Sequence, residues 1–191
     1  MYFINSHFTA TYEEKQSKFI AHLIPYNLYQ TTLQSLKAEH PKARHFVTSY
    51  RYLNEFDQIV EHSSDDGEPK GTSGKPTLSV LQGHELINIA VIVVRYFGGT
   101  KLGTGGLVRA YSDAVNMAVN LAELILYKKE KTEMISLLYS DIGRVEYECL
   151  QLEITIIEKF FDSDVRFKIQ AEEETLKTLH TKLERVIVSL S

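Results

Sequence analysis

Hydrophobic and polar positions along the chain change period several times, and each change marks an element. KFIAHLIPY (18–26) is apolar and rich in β-formers and predicts a strand. In 27–40 the period lengthens: Leu28, Leu33 and Leu36 form a helical stripe, Asn27 is placed to cap it and Pro41 to end it. HFVTSYRYL (45–53) alternates, and DQIVEHS (57–63) pairs with it as a hairpin. Residues 64–76 carry turn formers throughout and read as a loop, followed by a short helix over 77–85. INIAVIVVRYF (87–97) is apolar on both faces, the mark of a central buried strand. Residues 107–124 then read as a helix of about 18 residues.

The tail follows another plan. Strands are expected at 134–140, 154–161, 165–172 and 186–190, with helices at 141–151 and 173–185 and a tight turn at Asp162-Ser163-Asp164. The order βαββαβ is the split-βαβ, ferredoxin-like pattern. Residues 124–132 are the expected junction, so domains of 1–129 and 130–191 are assigned, in an α+β fold.

Charge supports the division. Lys and Arg balance Asp and Glu at 13 to 12 over residues 1–129, against 8 to 13 over 130–191. The net charge of −4 argues against bulk attraction to nucleic acid, but residues 70–109 hold five basic side chains and only Glu85 as an acid. The lone Cys149 excludes an internal disulfide and fits a reducing compartment; no run reaches the roughly 18 apolar residues of a membrane helix. The N-terminus lacks the apolar core of a signal peptide, so a cytoplasmic protein without membrane contact is expected.

Two stretches carry candidate chemistry. Between the buried strand and the long helix, Gly98, Gly99, Gly103, Gly105 and Gly106 crowd into nine residues beside Lys101 and Arg109. A glycine-rich turn feeding a helix presents backbone N–H groups and the positive end of the helix dipole to an anion. Neither the P-loop nor the dinucleotide fingerprint is met: Thr104-Gly105 stands where Lys-Ser/Thr is needed, and Val108 where a third glycine is needed. Close packing of helix on sheet explains the same glycines about equally well. In the second stretch Asp65, Asp66 and Glu68 are hard oxygen donors suited to Mg²⁺, or ordinary turn residues, the more common case. The scattered histidines His22, His40, His45, His62 and His84 lack zinc-helix spacing, and Cys149 lacks a basic neighbour that would activate it. Aromatic residues at 46, 50, 52, 96 and 97 are candidates for stacking on bases, although strand alternation sends some of them to the core.

SSDDGEPKGTSGKPTLSVLQG (63–83) and INIAVIVVRYFGGTKLGTGGLVRAYSDAV (87–115), with QSKFI (16–20) and HPKARH (40–45), resemble the IMPACT/YigZ (UPF0029) family over residues 15–125. The resemblance implies a first domain of the left-handed βαβ superfold seen in a ribosomal protein, RNase PH and elongation factor G. It implies a second domain similar to the last domain of that factor. It also implies a link to nucleic acid or the translation machinery. The kinase regulation of eukaryotic relatives is not carried over, because it rests on an extra domain. Phe46 and Val47 stand where the family often has a small polar residue and cysteine, so no role of that cysteine applies.

The resulting expectation is a non-enzymatic binding protein of RNA or a translation component. The loops at 64–76 and 98–106 converge on one basic groove where Lys70, Lys75, Arg95, Lys101 and Arg109 meet phosphates. The alternatives are an enzyme on a phosphorylated small molecule, with Asp65, Asp66 and Glu68 holding Mg²⁺, and a protein-interaction module. No organic cofactor is expected.

Overall fold

The computed structural model describes residues 1–162 and 164–190; the turn expected at 162–164 falls partly outside them. The chain divides into two compact units, Met1–Tyr127 and Lys128–Ser191, in a mixed α/β fold.

The first unit is built on a five-stranded antiparallel sheet. Its strands are β2 (Phe8–Glu14), β3 (Ser17–Pro25), β4 (His45–Leu53), β5 (Ile59–Ser64) and β6 (Ile89–Tyr96), in the order β2-β3-β6-β4-β5. β6 is central, as its unbroken apolar run predicts, and Ile89 through Arg95 are all buried. Three helices cover the sheet: α1 (Tyr29–Glu39), α2 (Gly74–Gly83) and α3 (Gly103–Leu121). Phe19, Leu23, Val47, Val91 and Val93 point to one face and pack with Leu81, Leu107, Tyr111 and Val115 of α2 and α3. Ile24, Ile92 and Val94 point to the other and pack with Tyr29 and Leu36 of α1. The short β1 (Tyr2–Phe3) pairs with β7 (Ile125–Leu126), tying the two ends of the unit together.

The second unit runs β8 (Glu130–Leu137), α4 (Ile142–Gln151), β9 (Thr155–Phe161), β10 (Val165–Glu172), α5 (Glu173–Lys182) and β11 (Ile187–Leu190). The sheet order is β11-β8-β10-β9, antiparallel throughout, the split-βαβ topology read from the sequence. Ile135, Val145, Phe167, Ile169 and Leu179 form its separate core.

One strand was not expected from the sequence, and three local readings are corrected. Residues 8–14 form β2, in which Ala10 is buried and Phe8 and Tyr12 pack against the core while Thr9, Thr11 and Glu13 face out. α1 begins at Tyr29, without a side-chain cap from Asn27, and Leu28 is exposed while Tyr29 takes the buried position. α2 begins at Gly74 and α3 at Gly103, three and four residues earlier than expected. Turn-type residues there form first helical turns: Pro76 lies in the α2 first turn, where its missing N–H costs nothing.

Candidate functional site

β5 and β6 are both antiparallel to β4, so they run in the same direction. The connections 65–73 and 97–102 therefore leave the same end of the sheet, and α2 and α3 start there. The registers Lys18↔Tyr96 and His45↔Arg95 bring the β2–β3 turn and the approach to β4 to that end as well.

The three carboxylates expected to hold a metal are engaged otherwise. Asp65 Oδ1 accepts the Ser73 and Gly74 N–H groups (3.1 and 2.8 Å) and the Ser73 hydroxyl (2.7 Å), and Oδ2 accepts the Gly71 N–H (2.7 Å). Burial works to raise its pKa, but these donors together hold it below the ordinary value. The anion at the α2 N-terminus is thus Asp65 itself, in a ring of donors that favours a carboxylate and repels a cation. Asp66, at φ +43°, accepts the Phe46 N–H on Oδ2, and its carbonyl accepts His45 Nδ1–H (2.8 Å). Glu68 is buried; its Oε1 accepts from Arg95 Nη1 and from the Tyr111 hydroxyl (2.8 Å), with His45 Nε2 3.9 Å away. Among the described residues no set of three His, Cys, Asp or Glu side chains is arranged to hold a metal ion.

Arg95 was expected on a phosphate. It is 5% exposed, bound to Glu68, and its guanidinium lies 5.3 Å from the Phe19 ring and 5.8 Å from Phe97. It therefore serves the interior, since an ion pair so enclosed is not given up to an outside anion. Tyr111, which sequence reasoning passed over, closes this cluster. Its position in the apolar stripe of α3 signals burial, but nothing along the chain signals a partner 43 residues away. Burial, then the Glu68 charge, raises its phenol, which stays a proton donor. Cys149 belongs to the second core, and burial pushes its thiol up to about 11.

The glycine loop divides by role. A Cβ on Gly98 would lie 2.0 Å from the Gln16 carbonyl carbon, and the Gly98 N–H donates to Ser17 Oγ (3.1 Å), so the loop is seated on the β2–β3 turn. Gly99 and Gly103 have φ of +90° and +74°. Gly105 has open space around its Cβ position and no unusual φ, so the fold does not demand it. Gly106 has only the Leu102 side chain close by. α3 has no side-chain cap, which leaves its first N–H groups exposed at Gly103, Thr104 and Gly105.

The expected single groove is divided. Lys75 lines a cleft of about 600 Å³ between α2 and α3, with Ser79, Val108, Ser112 and, at the far end, a His84–Asn116 hydrogen bond (3.0 Å). Arg109 lies on the neighbouring stripe of α3 and faces β2, in a different pocket. Lys70 and Lys101 are exposed on the two loops. Lys18 on β3, and Lys42 and Arg44 ahead of β4, are further exposed cations at this end of the sheet, which sequence reasoning did not gather there. None of Lys18, Lys42, Arg44, Lys70, Lys75 and Lys101 has an ion-pair partner among the described residues. In the second unit Lys131, Lys159, Arg166, Lys177 and Lys182 are each paired with a carboxylate.

A two-unit α/β chain emerges, in which the acidic and glycine-rich stretches build a buried polar frame beneath an exposed basic end. Residues 15–119 match the Impact N-terminal domain and residues 135–185 a domain of unknown function, DUF1949. The chain belongs to the IMPACT family. It is 36% identical over 148 residues to an IMPACT family member of Haemophilus influenzae, covering 78% of this chain and 72% of that one. It is 34% identical over 163 residues to IMPACT family member YvyE of Bacillus subtilis, covering 84% and 74%. A solved structure described as the crystal structure of an hypothetical protein is similar along 100% of this chain and 96% of that one, with a TM-score of 0.70 and 29% identity.

Proposed function

We propose that the first unit binds the phosphate backbone of RNA at the end of its sheet, as a non-enzymatic component acting on the translation machinery. The observation that carries this reading is the gathering of Lys18, Lys42, Arg44, Lys70, Lys75 and Lys101 at one end of one sheet with no carboxylate partner. Unpaired surface cations keep their full attraction for phosphate and release counterions when they meet it. The nearby acids Asp65, Asp66 and Glu68 are turned to protein donors; Glu13, opposite Lys18 in the β2–β3 register, Glu14 and Glu39 remain at the surface. The exposed N–H groups at the start of α3 add donors without a side chain in the way. Contacts of this kind position a strand without reading its bases, so low sequence specificity follows. The family's link to translation makes ribosomal or messenger RNA the natural partner.

The enzymatic alternative loses support, because its metal-binding carboxylates are committed to backbone N–H groups and to Arg95. The test is the salt dependence of binding to a single-stranded RNA oligonucleotide. The log–log slope falls by about 0.7 for each phosphate neutralised. Replacing Lys70, Lys75 and Lys101 together with alanine flattens it by about two units, with the melting temperature nearly unchanged. An unchanged slope, or binding independent of salt, overturns the reading.

A further inference from the structure

On the opposite flank of α3 from the α2 cleft lies a pocket of about 230 Å³ that the phosphate reading does not use. Its wall on β2 is Tyr12 and Glu14, which point to the same face of that strand as the buried Ala10. Lys15 follows in the β2–β3 turn, where Lys15 and Gln16 both hold positive φ (45° and 63°). Its other wall is one stripe of α3, Gly106, Arg109 and Asp113 at helical spacing, with Leu102 just ahead of the helix.

The pocket opens to solvent, with Lys15, Arg109 and Asp113 exposed and Glu14 half-buried, and its interest lies in how its charges are disposed. It holds two carboxylates and two cations in a small volume, yet no ion pair within 4 Å joins Glu14, Lys15, Arg109 and Asp113 to one another or to any other described residue. Arg109 and Asp113 are four apart on the helix with the base N-terminal to the acid, the weaker order for such a pair. No ion pair closes among these charges, and the Tyr12 hydroxyl, hydrogen-bonded to Glu14, is a neutral polar group among them. Burial first, then Asp113 and Glu14, raises its phenol, with Arg109 opposing.

Net neutrality with separated charges selects against a simple anion or cation, each of which would face two like charges. It favours a ligand that is itself separated into one carboxylate and one ammonium. The volume lies below the roughly 300–1,000 Å³ of sites for drug-sized ligands, so the ligand is small. We infer that this pocket is a binding site for a free α-amino acid, its carboxylate held by Arg109 and Lys15 and its ammonium by Asp113 and Glu14. Arg109 presents a forked pair of donors matched to a carboxylate. Gly106 and Leu102 line the pocket together, and a Cβ on Gly106 would come within 3.0 Å of Leu102 Cβ.

The test titrates the full chain with L-alanine, L-serine, L-glutamine and L-arginine, followed by amide and side-chain NMR shifts and by calorimetry. Acetate and ethylamine serve as single-charge controls. Saturable binding of at least one amino acid is expected, with shifts centred on Tyr12, Gly106 and Asp113 and with both controls weaker by at least about tenfold. Arg109→Gln and Asp113→Asn, both at exposed positions, each weaken that amino acid by about tenfold or more and leave the melting temperature nearly unchanged. Absence of binding by all four amino acids at millimolar concentration overturns the inference, as does equal binding of acetate, or shifts centred elsewhere. RNA binding by the Lys70/Lys75/Lys101 variant is read separately, so either proposal fails without the other.

Discussion

His22 makes the stability of this protein depend on pH in a calculable way. It lies on β3 under α1 and is 7% exposed. Its Nδ1 is 3.0 Å from His7 Nε2 and 3.3 Å from the Thr9 hydroxyl, the His40 ring centre is 6.4 Å away, and its Nε2 is buried without a partner among the described residues. Among the described residues no carboxylate acts on His22 itself; Glu39 acts on the neighbouring His7 and opposes its shift. Burial first, then the repulsion of His7 and His40, lowers its pKa from 6.5 to about 4. The unfolded chain therefore takes up the proton more readily than the folded one. This term stabilises the fold fully above pH 6.5, is lost progressively as pH falls through the window to 4, and is constant below it. With these two pKa values, stability falls by about 2 kcal/mol between pH 7.5 and 5. His7, also lowered chiefly by burial, adds in the same direction. Urea unfolding at half-unit steps of pH measures the slope, and His22→Gln, which cannot titrate, removes most of it whatever its effect on stability at pH 7.5. An NMR titration placing His22 near its ordinary pKa, or a slope unchanged in His22→Gln, would refute the reasoning.

Other expectations follow from packing. Gly98→Ala drives a methyl group into the Gln16 backbone and destabilises by more than about 2 kcal/mol, whereas Gly105→Ala, in open space within a helix, is neutral or stabilising by up to about 1 kcal/mol; thermal unfolding of the pair separates these two roles. Glu68→Gln leaves the Arg95 charge buried without its partner and costs about 3–5 kcal/mol by denaturant titration, while Tyr111→Phe, losing one hydrogen bond to a charged group, costs about 1.5–3 kcal/mol. Residues 128–191, with a core of their own, fold alone as an acidic domain that does not bind RNA, checked by circular dichroism and by the oligonucleotide assay.

Elements with strong periodicity were legible along the chain. The run 87–97 announced the central strand because the six consecutive apolar residues from Ile89 to Val94 leave neither face polar. The βαββαβ order of the tail was legible because alternation in 165–172 and the helical stripe of 173–185 are both unbroken. Starts of helices were less so: Gly, Ser, Thr and Pro serve loops and first turns alike, and only the backbone bonds made by Asp65 decide that α2 begins at Gly74.

The candidate site was legible as stretches and not as roles. Composition and spacing singled out residues 63–76 and 98–109 as the candidate stretches and carried the family resemblance, because glycine, charge and turn residues are concentrated there beyond what a connection requires. Which charges face water was a tertiary decision. Arg95 and Lys101 look alike in sequence, yet one side chain meets Glu68, from 27 residues earlier, and is sealed beneath the loop, while the other meets solvent. Arg109 and Lys75 lie in different pockets, because Val108 of α3 turns toward α2 and Lys75 while Arg109, one step further around the helix, turns toward β2. A sequence records which groups are charged; the partner that neutralises a charge is supplied by the packing of distant segments, and burial without a partner is too costly to leave that choice open.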